Sequence, residues 1–213
     1  MSEIRKPKQK RAQKTRLRLL LAAQKTFSSF GFQKTTAKSI AKNAGAATGT
    51  FYQYFTDKDA ALRELAIGRF VQIAEHAQEA LGFEDGLQSS RRNAENAIEA
   101  VVEVLIAYHE EDPALHAVIT ERRSADLEMD REISSREAEL LALLSQRLIA
   151  WGHAGDTVAL AFVMFHMAEG SVHAHCLGTP VLSDERFRSV LLTSLVQLAF
   201  PTLSLPIHKN SHP

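Results

Sequence analysis

Cysteine is almost missing from this chain of 213 residues, where Cys176 stands alone. A single thiol closes no intrachain disulfide, so no covalent framework is expected and a reducing compartment is the simpler expectation. Long apolar runs are missing too. The longest strictly apolar stretch, Val158 to Phe165, falls far short of the roughly 20 residues a membrane-spanning helix needs. Met1 to Arg18 is charged and holds no apolar core of a secretory signal. A cytoplasmic protein with no membrane partner is therefore expected. No Gly-rich phosphate loop, nucleophile elbow or paired-cysteine motif is visible, so neither enzyme nor cofactor is expected. The composition is 45% hydrophobic and 23% charged, which is ordinary for a globular chain long enough to bury a sizeable core.

Net charge also sums to zero, with 25 Lys+Arg against 25 Asp+Glu, but the total conceals a division. Residues 1–58 hold 13 Lys+Arg and two acidic residues, Glu3 and Asp57, a net +11; residues 59–213 carry the compensating −11. A cationic end of that density suggests a polyanionic partner, and the acidic remainder argues against nucleic acid wrapping the whole protein.

Nearly every segment repeats its apolar residues with a helical period, and no convincing alternating strand appears. Leu17, Leu20, Ala23, Phe27 and Phe30 predict one face of a first helix closed by Gly31. Thr36 caps a short second helix with Ala37, Ile40, Ala41 and Ala44 inward and Gly45 at its end. A third runs from about Thr48 to Tyr54. Asp57 caps a long fourth, with Leu62, Leu65, Phe70, Ile73, Ala77 and Leu81 inward and Gly82 as its stop. Five more helices follow at about 90–111, 113–124, 130–151, 156–177 and 184–200. Gly82 to Ser90 reads as a loop, and residues 1–8 and 201–213 as loose tails. The expected fold is all-α with about nine helices: a basic arm and three-helix domain over 1–57, a helical bundle over 58–201, and a tail over 202–213.

Residues 36–55, TAKSIAKNAGAATGTFYQYF, carry the most specific signal. Two short helices that meet at a tight angle need a small residue where they approach and a glycine of positive φ in the turn. Ala41 and Gly45 supply these. Ile40 and Phe51 are then placed to seal the corner against Phe27 and Phe30. Thr48, Thr50, Tyr52, Gln53 and Tyr54 are left around the exposed part of the third helix, as side chains suited to phosphates, base edges and thymine methyls. Successive helical residues point about 100° apart, so at least one of Tyr52 and Tyr54 faces outward. Lys58 adds a cation beside them.

On these residues the chain resembles the TetR family of transcriptional regulators. The likeness runs over 16–65, through Ala23, Phe27 and Gly31, Thr35-Thr36, Ile40-Ala41, Ala44-Gly45, Gly49-Thr50-Phe51-Tyr52, Tyr54-Phe55, Lys58 and Leu62. It implies a homodimer on a palindromic double-stranded DNA operator, each subunit inserting its third helix into the major groove at half-sites about 34–36 Å apart. Carried over residue by residue, Thr48, Thr50, Tyr52, Gln53 and Tyr54 lie at the groove, while Thr36, Ser39 and Lys58 hold phosphates. Lys8, Lys10, Arg11, Lys14, Arg16 and Arg18 reach the backbone or the minor groove. Two positions depart from the family pattern. Ala47 stands where a serine or threonine is frequent, so Thr48 is expected to cap the third helix itself. Ser39 replaces a frequent acidic residue, so a capping box after Thr36 is expected to be missing, at about 0.5–1 kcal/mol.

The resemblance also implies a sensor bundle that binds a small-molecule effector. Tyr108, His109, Phe162, Phe165, His166 and Glu169 are the candidate ligand-binding residues, with His116, Ile119 and Trp151 beside them; they suit a small apolar or aromatic molecule with one hydrogen-bonding group. The last two helices are apolar on more than one side, as a two-fold dimer interface requires. Phe162, Phe165 and Val172 mark one face of the first of them, and Val190, Leu191, Leu195 and Leu198 mark the second. His166, Glu169 and His173 share a helical face, but H-E-x-x-H is absent and no metal site is assigned. The expected function is a ligand-responsive repressor released from its operator by the effector. The alternative is a metal- or small-molecule-binding helical protein without sequence-specific DNA binding.

Overall fold

The computed structural model describes residues 6–82 and 91–200, with the side chains of residues 6–9 left aside. The expected loop at 83–90 and the tails at 1–5 and 201–213 lie outside the described residues. Among those described there are nine helices and no strand: α1 (Lys6–Lys34), α2 (Ala37–Asn43), α3 (Thr48–Tyr52), α4 (Lys58–Ala80), α5 (Arg91–Glu111), α6 (Pro113–Arg123), α7 (Leu127–Ala150), α8 (Thr157–Leu177) and α9 (Asp184–Ala199). Among the described residues no helix is long and apolar enough to cross a membrane.

The helices start where short polar side chains satisfy first-turn N–H groups. Ala60 N donates to Asp57 at 2.7 Å, Leu115 N to Asp112 at 3.0 Å and Ala159 N to Asp156 at 3.0 Å. Asp126 serves α7 in the same way, accepting from Met129 N at 3.0 Å, so that helix begins earlier than its apolar period suggests. The first helix also begins earlier than expected, at Lys6, within a stretch read as tail. Its interruption falls at Gly31, whose φ of +70° only glycine adopts freely, and a short turn follows to Lys34.

The described chain divides into two compact units, residues up to Glu75 with Ala107–Ala138, and His76–Ile106 with the chain from Glu139; the division falls inside α4, α5 and α7. The first unit is larger than the expected 1–57 segment because α6 and the head of α7 join it. Its core gathers Leu19, Ala23, Phe27, Phe32, Ile40, Phe51, Phe55, Leu62, Leu115, Ile119 and Met129. The second unit's core is built from Ile98, Val102, Leu148, Met164, Val172, Phe187, Leu191 and Leu195.

Several expected faces turn. Leu17 and Phe30 are 58% and 57% exposed, and α1 instead buries Leu19, Ala22, Ala23, Thr26 and Phe27. Phe27 stacks on Phe32, with ring centroids 6.0 Å apart, in the place expected for Phe30. On α8, Val172 shares the buried face with Ala161, Met164 and Ala168, while Phe162 points away from it. On α9, Leu191 and Leu195 are buried and Val190 is exposed, so these do not form one face.

Candidate nucleic-acid interface

Two short helices form the corner. At the end of α2, Ala46 N donates to Ala41 O at 2.9 Å and Gly45 N to Lys42 O at 3.1 Å, the paired bonds of a Schellman turn. That turn needs a left-handed residue, and Gly45 takes φ +61°. A Cβ there would meet nothing within 4 Å, so conformation and not space selects glycine. Ile40, Ala41 and Phe51, each fully buried, hold α2 and α3 against Phe27 of α1.

The capping box expected to be missing is present. Thr36 Oγ1 accepts from Ser39 N at 3.1 Å, and Ser39 Oγ accepts from Thr36 N at 3.0 Å, so serine performs the return bond of the usual acidic residue. Ser39 Oγ further donates to Thr36 O at 2.8 Å. The hydroxyls expected at phosphates are thus engaged in the cap. The expectation for Thr48 is also corrected. Ala47 occupies the N-cap without a side-chain bond, and Thr48 is the first helical residue.

Packing separates the residues of α3 and its exit. Tyr52 is 58% exposed and Gln53 is exposed, while Thr48 and Thr50 are half-buried. Tyr54 is half-buried against the first core, so of the two tyrosines Tyr52 is the outward one. Lys58 does not stand free beside them. Its Nζ donates to Phe32 O at 2.7 Å and Thr35 O at 3.0 Å, and lies 4.0 Å from the Phe32 ring centre, so the ammonium closes the end of α1. Arg16 is likewise engaged, with Nε 2.8 Å from Glu64 and the guanidinium over Phe55. Lys10, Arg11, Lys14 and Arg18 on α1, and Lys38 and Lys42 on α2, are exposed. Lys8 lies among the side chains not described.

The candidate effector residues fall in different units. In the first, His109 is buried, and half-buried Tyr108 lies edge-on to it at 5.5 Å between centroids. In the second, Phe162 is 54% exposed and His166 is exposed, their rings 4.3 Å apart, while Phe165 and Glu169 are half-buried. Phe162 and His166 therefore lie on the outer face of α8 and not in the core of their unit. Trp151 packs beside Phe200, with centroids 6.2 Å apart. Among the described residues His166, Glu169 and His173 do not converge as metal ligands. His116 was foreseen beside the site, but not its contact with His109, with ring centroids 4.3 Å apart.

Two short helices closed by a Schellman turn, packed on α1 and presenting Tyr52 and Gln53 outward, define a helix-turn-helix protein of all-α build. Residues 19–65 match the family model for bacterial regulatory proteins of the tetR family, and residues 95–199 match that for the tetracyclin repressor-like C-terminal domain. The chain belongs to the TetR family of transcriptional regulators. The transcriptional regulator UidR of Escherichia coli is 37% identical over 59 residues, which is 28% of this chain and 30% of UidR's own length. A TetR-family regulator from Mesorhizobium loti superposes with a TM-score of 0.73 at 19% identity, covering 88% of this chain and 96% of that one. FadR from Bacillus subtilis, solved in complex with stearoyl-CoA, gives 0.63 at 22% identity over 88% and 98%. Both structural likenesses speak to the fold.

Proposed function

We propose that the chain is a homodimeric, effector-responsive repressor that reads a palindromic operator with α3. The carrying observation is the division of neighbours on α3, with Phe51 fully buried and Tyr52 58% exposed. A five-residue helix has no stability of its own, and here a buried ring anchors it while its other side is left for a groove. Thr48, Thr50, Tyr52 and Gln53 contact base edges or phosphates, with Tyr54 contributing its outer edge. Lys10, Arg11, Lys14 and Arg18 of α1 contact phosphates; Thr36, Ser39 and Lys58 chiefly hold the frame. Residues 1–57 supply the DNA contacts, and 58–201 the effector and dimer functions.

Dimerisation is assigned to the outer faces of α8 and α9. Val158, Phe162 and Val163 on α8 and Val190 on α9 are each at least half exposed, an apolar surface of the kind a two-fold partner covers. The effector is a small molecule with an apolar or aromatic body and a polar group; stearoyl-CoA in the FadR neighbour fits an apolar-bodied ligand. It releases DNA by binding better to a state whose two α3 helices no longer match the half-sites. Gel-shift titration tests the reading. The chain should prefer fragments of its own promoter region over scrambled duplex, with affinity falling steeply as salt rises. Equal affinity for both at low salt refutes it.

A further inference from the structure

The first unit buries an arrangement that DNA reading does not use. His109, on the last turn of α5, is 1% exposed, and His116, on the first turn of α6, is 7% exposed. Asp112 and Pro113 turn the chain between them. The two imidazoles meet with centroids 4.3 Å apart and planes at 41°, and their ligand nitrogens lie within 4.8 Å of each other. The Tyr108 ring stands edge-on to both, at 5.5 Å and 5.3 Å. The charge nearest the group is Arg69, whose guanidinium carbon is 4.8 Å from the Tyr108 ring centre. That cation is held by Glu111 and by the Tyr108 carbonyl, each at 2.9 Å, so its field at the imidazoles is partly cancelled.

We propose that His109 and His116 form a two-imidazole site for a borderline divalent cation of the zinc and nickel class. Burying two polar rings where apolar side chains would pack costs desolvation. A metal offsets that cost, and imidazole is the side chain such ions favour. Two nitrogens bonded to a tetrahedral zinc at about 2.0–2.1 Å stand about 3.3 Å apart. A separation under 4.8 Å closes to that with about 1.5 Å of side-chain movement or less. Both ligands are neutral, so the bound ion keeps its full charge and further coordination positions for water or for an oxygen or nitrogen donor. The site stands whether or not the chain reads an operator.

The test uses the full chain without a polyhistidine tag, stripped with chelator and titrated with zinc chloride alone by calorimetry. One ion should bind per chain. His109→Gln and His116→Gln should each weaken binding by about tenfold or more with helix content unchanged, and His166→Gln on the outer face of α8 should leave it unaltered. Absence of binding, wild-type affinity in both first variants, or loss in His166→Gln overturns the assignment. Should either variant lose helix content, cobalt(II) added to the wild-type chain decides. Hyperfine-shifted imidazole resonances belonging to His109 and His116 sustain the site, and their absence removes it.

Discussion

Phe51 and Tyr52 adjoin in sequence and the fold uses them oppositely, so replacing each by alanine should separate folding from reading. Phe51 is fully buried beside Phe55, at 5.4 Å between ring centroids. Truncating such a ring costs about 3–5 kcal/mol. For a chain of this size each kcal/mol moves the melting temperature by about 2–4 °C, so Phe51→Ala should melt about 6–20 °C lower. Tyr52, 58% exposed, loses mainly an edge-on contact with Phe51 at 5.5 Å. That is worth about 0.5–1 kcal/mol, a fall of about 1–4 °C. On operator duplex the ranking should invert. Tyr52→Ala removes a groove contact worth about 1–3 kcal/mol, hence about 5- to 150-fold in affinity. Thermal melts by far-UV circular dichroism, paired with fluorescence anisotropy on operator and scrambled duplexes, read both quantities. If Tyr52→Ala melts as low as Phe51→Ala, or keeps wild-type discrimination between the duplexes, the assignment of an outward reading face to α3 is wrong.

Thr36→Ala and Ser39→Ala should each cost about 1 kcal/mol in urea titrations; because they share one box, the double variant should fall well short of the sum. Gly45→Ala should cost about 1–2 kcal/mol by the same assay, despite open space around it, because φ is +61°. Burial raises the pKa of Asp112, but bonds from Leu115 N–H, Ser28 and Gln24, with Arg69 nearby, hold it below its ordinary value. At Asp126 burial is likewise outweighed by Met129 N–H, Arg63 and Glu128 N–H. A depressed carboxylate stabilises fully above its unfolded value, about pH 4, and the contribution is lost as pH falls through the folded value. Denaturation midpoints should therefore drop below about pH 4, and Asp112→Asn and Asp126→Asn should each flatten that drop. Phe162→Glu should convert a dimer to a monomer in sedimentation velocity while leaving helix content intact; a persistent dimer would remove the outer face of α8 from the interface.

The corner of the helix-turn-helix was legible because its determinants are local. Gly45 answers to one backbone angle, and Asp57, Asp112 and Asp156 each cap within three residues. Which stripe of a helix faces inward was less so. The run Leu19-Leu20-Leu21-Ala22-Ala23 lets two faces of α1 look apolar, and Thr26 disguises the correct one. Thr26 is fully buried, its hydroxyl donating to Ala22 O at 2.6 Å and accepting from Asn43 at 2.9 Å, so the polar group is satisfied within the core. On α8 the apolar residues surround the helix, while buried Thr157 bonds Ser145 at 2.9 Å and Phe162 lies outside. Periodicity carries no information about such a choice. The functions of Lys58 and of the His109–His116 pair were hidden for another reason. Lys58 meets carbonyls 23 and 26 residues away, and the two histidines sit across a helix break, where helical spacing arithmetic fails.

The same non-locality bears on how binding defects are interpreted. Helix α3 has five residues and no side-chain cap, so its geometry is borrowed from Phe51, Ile40 and Phe27 beneath it. Any substitution that loosens those contacts disorders the outward side chains with them, and operator affinity falls without a DNA contact being lost. Tyr54 illustrates the difficulty, because it packs on the core and lies beside the groove-facing residues. Its removal should lower stability and affinity together and cannot by itself assign a contact. Weakened DNA binding identifies a contact residue only where the melt is nearly unchanged. Tyr52 and Gln53, exposed beside buried Phe51, are the positions at which that condition should hold.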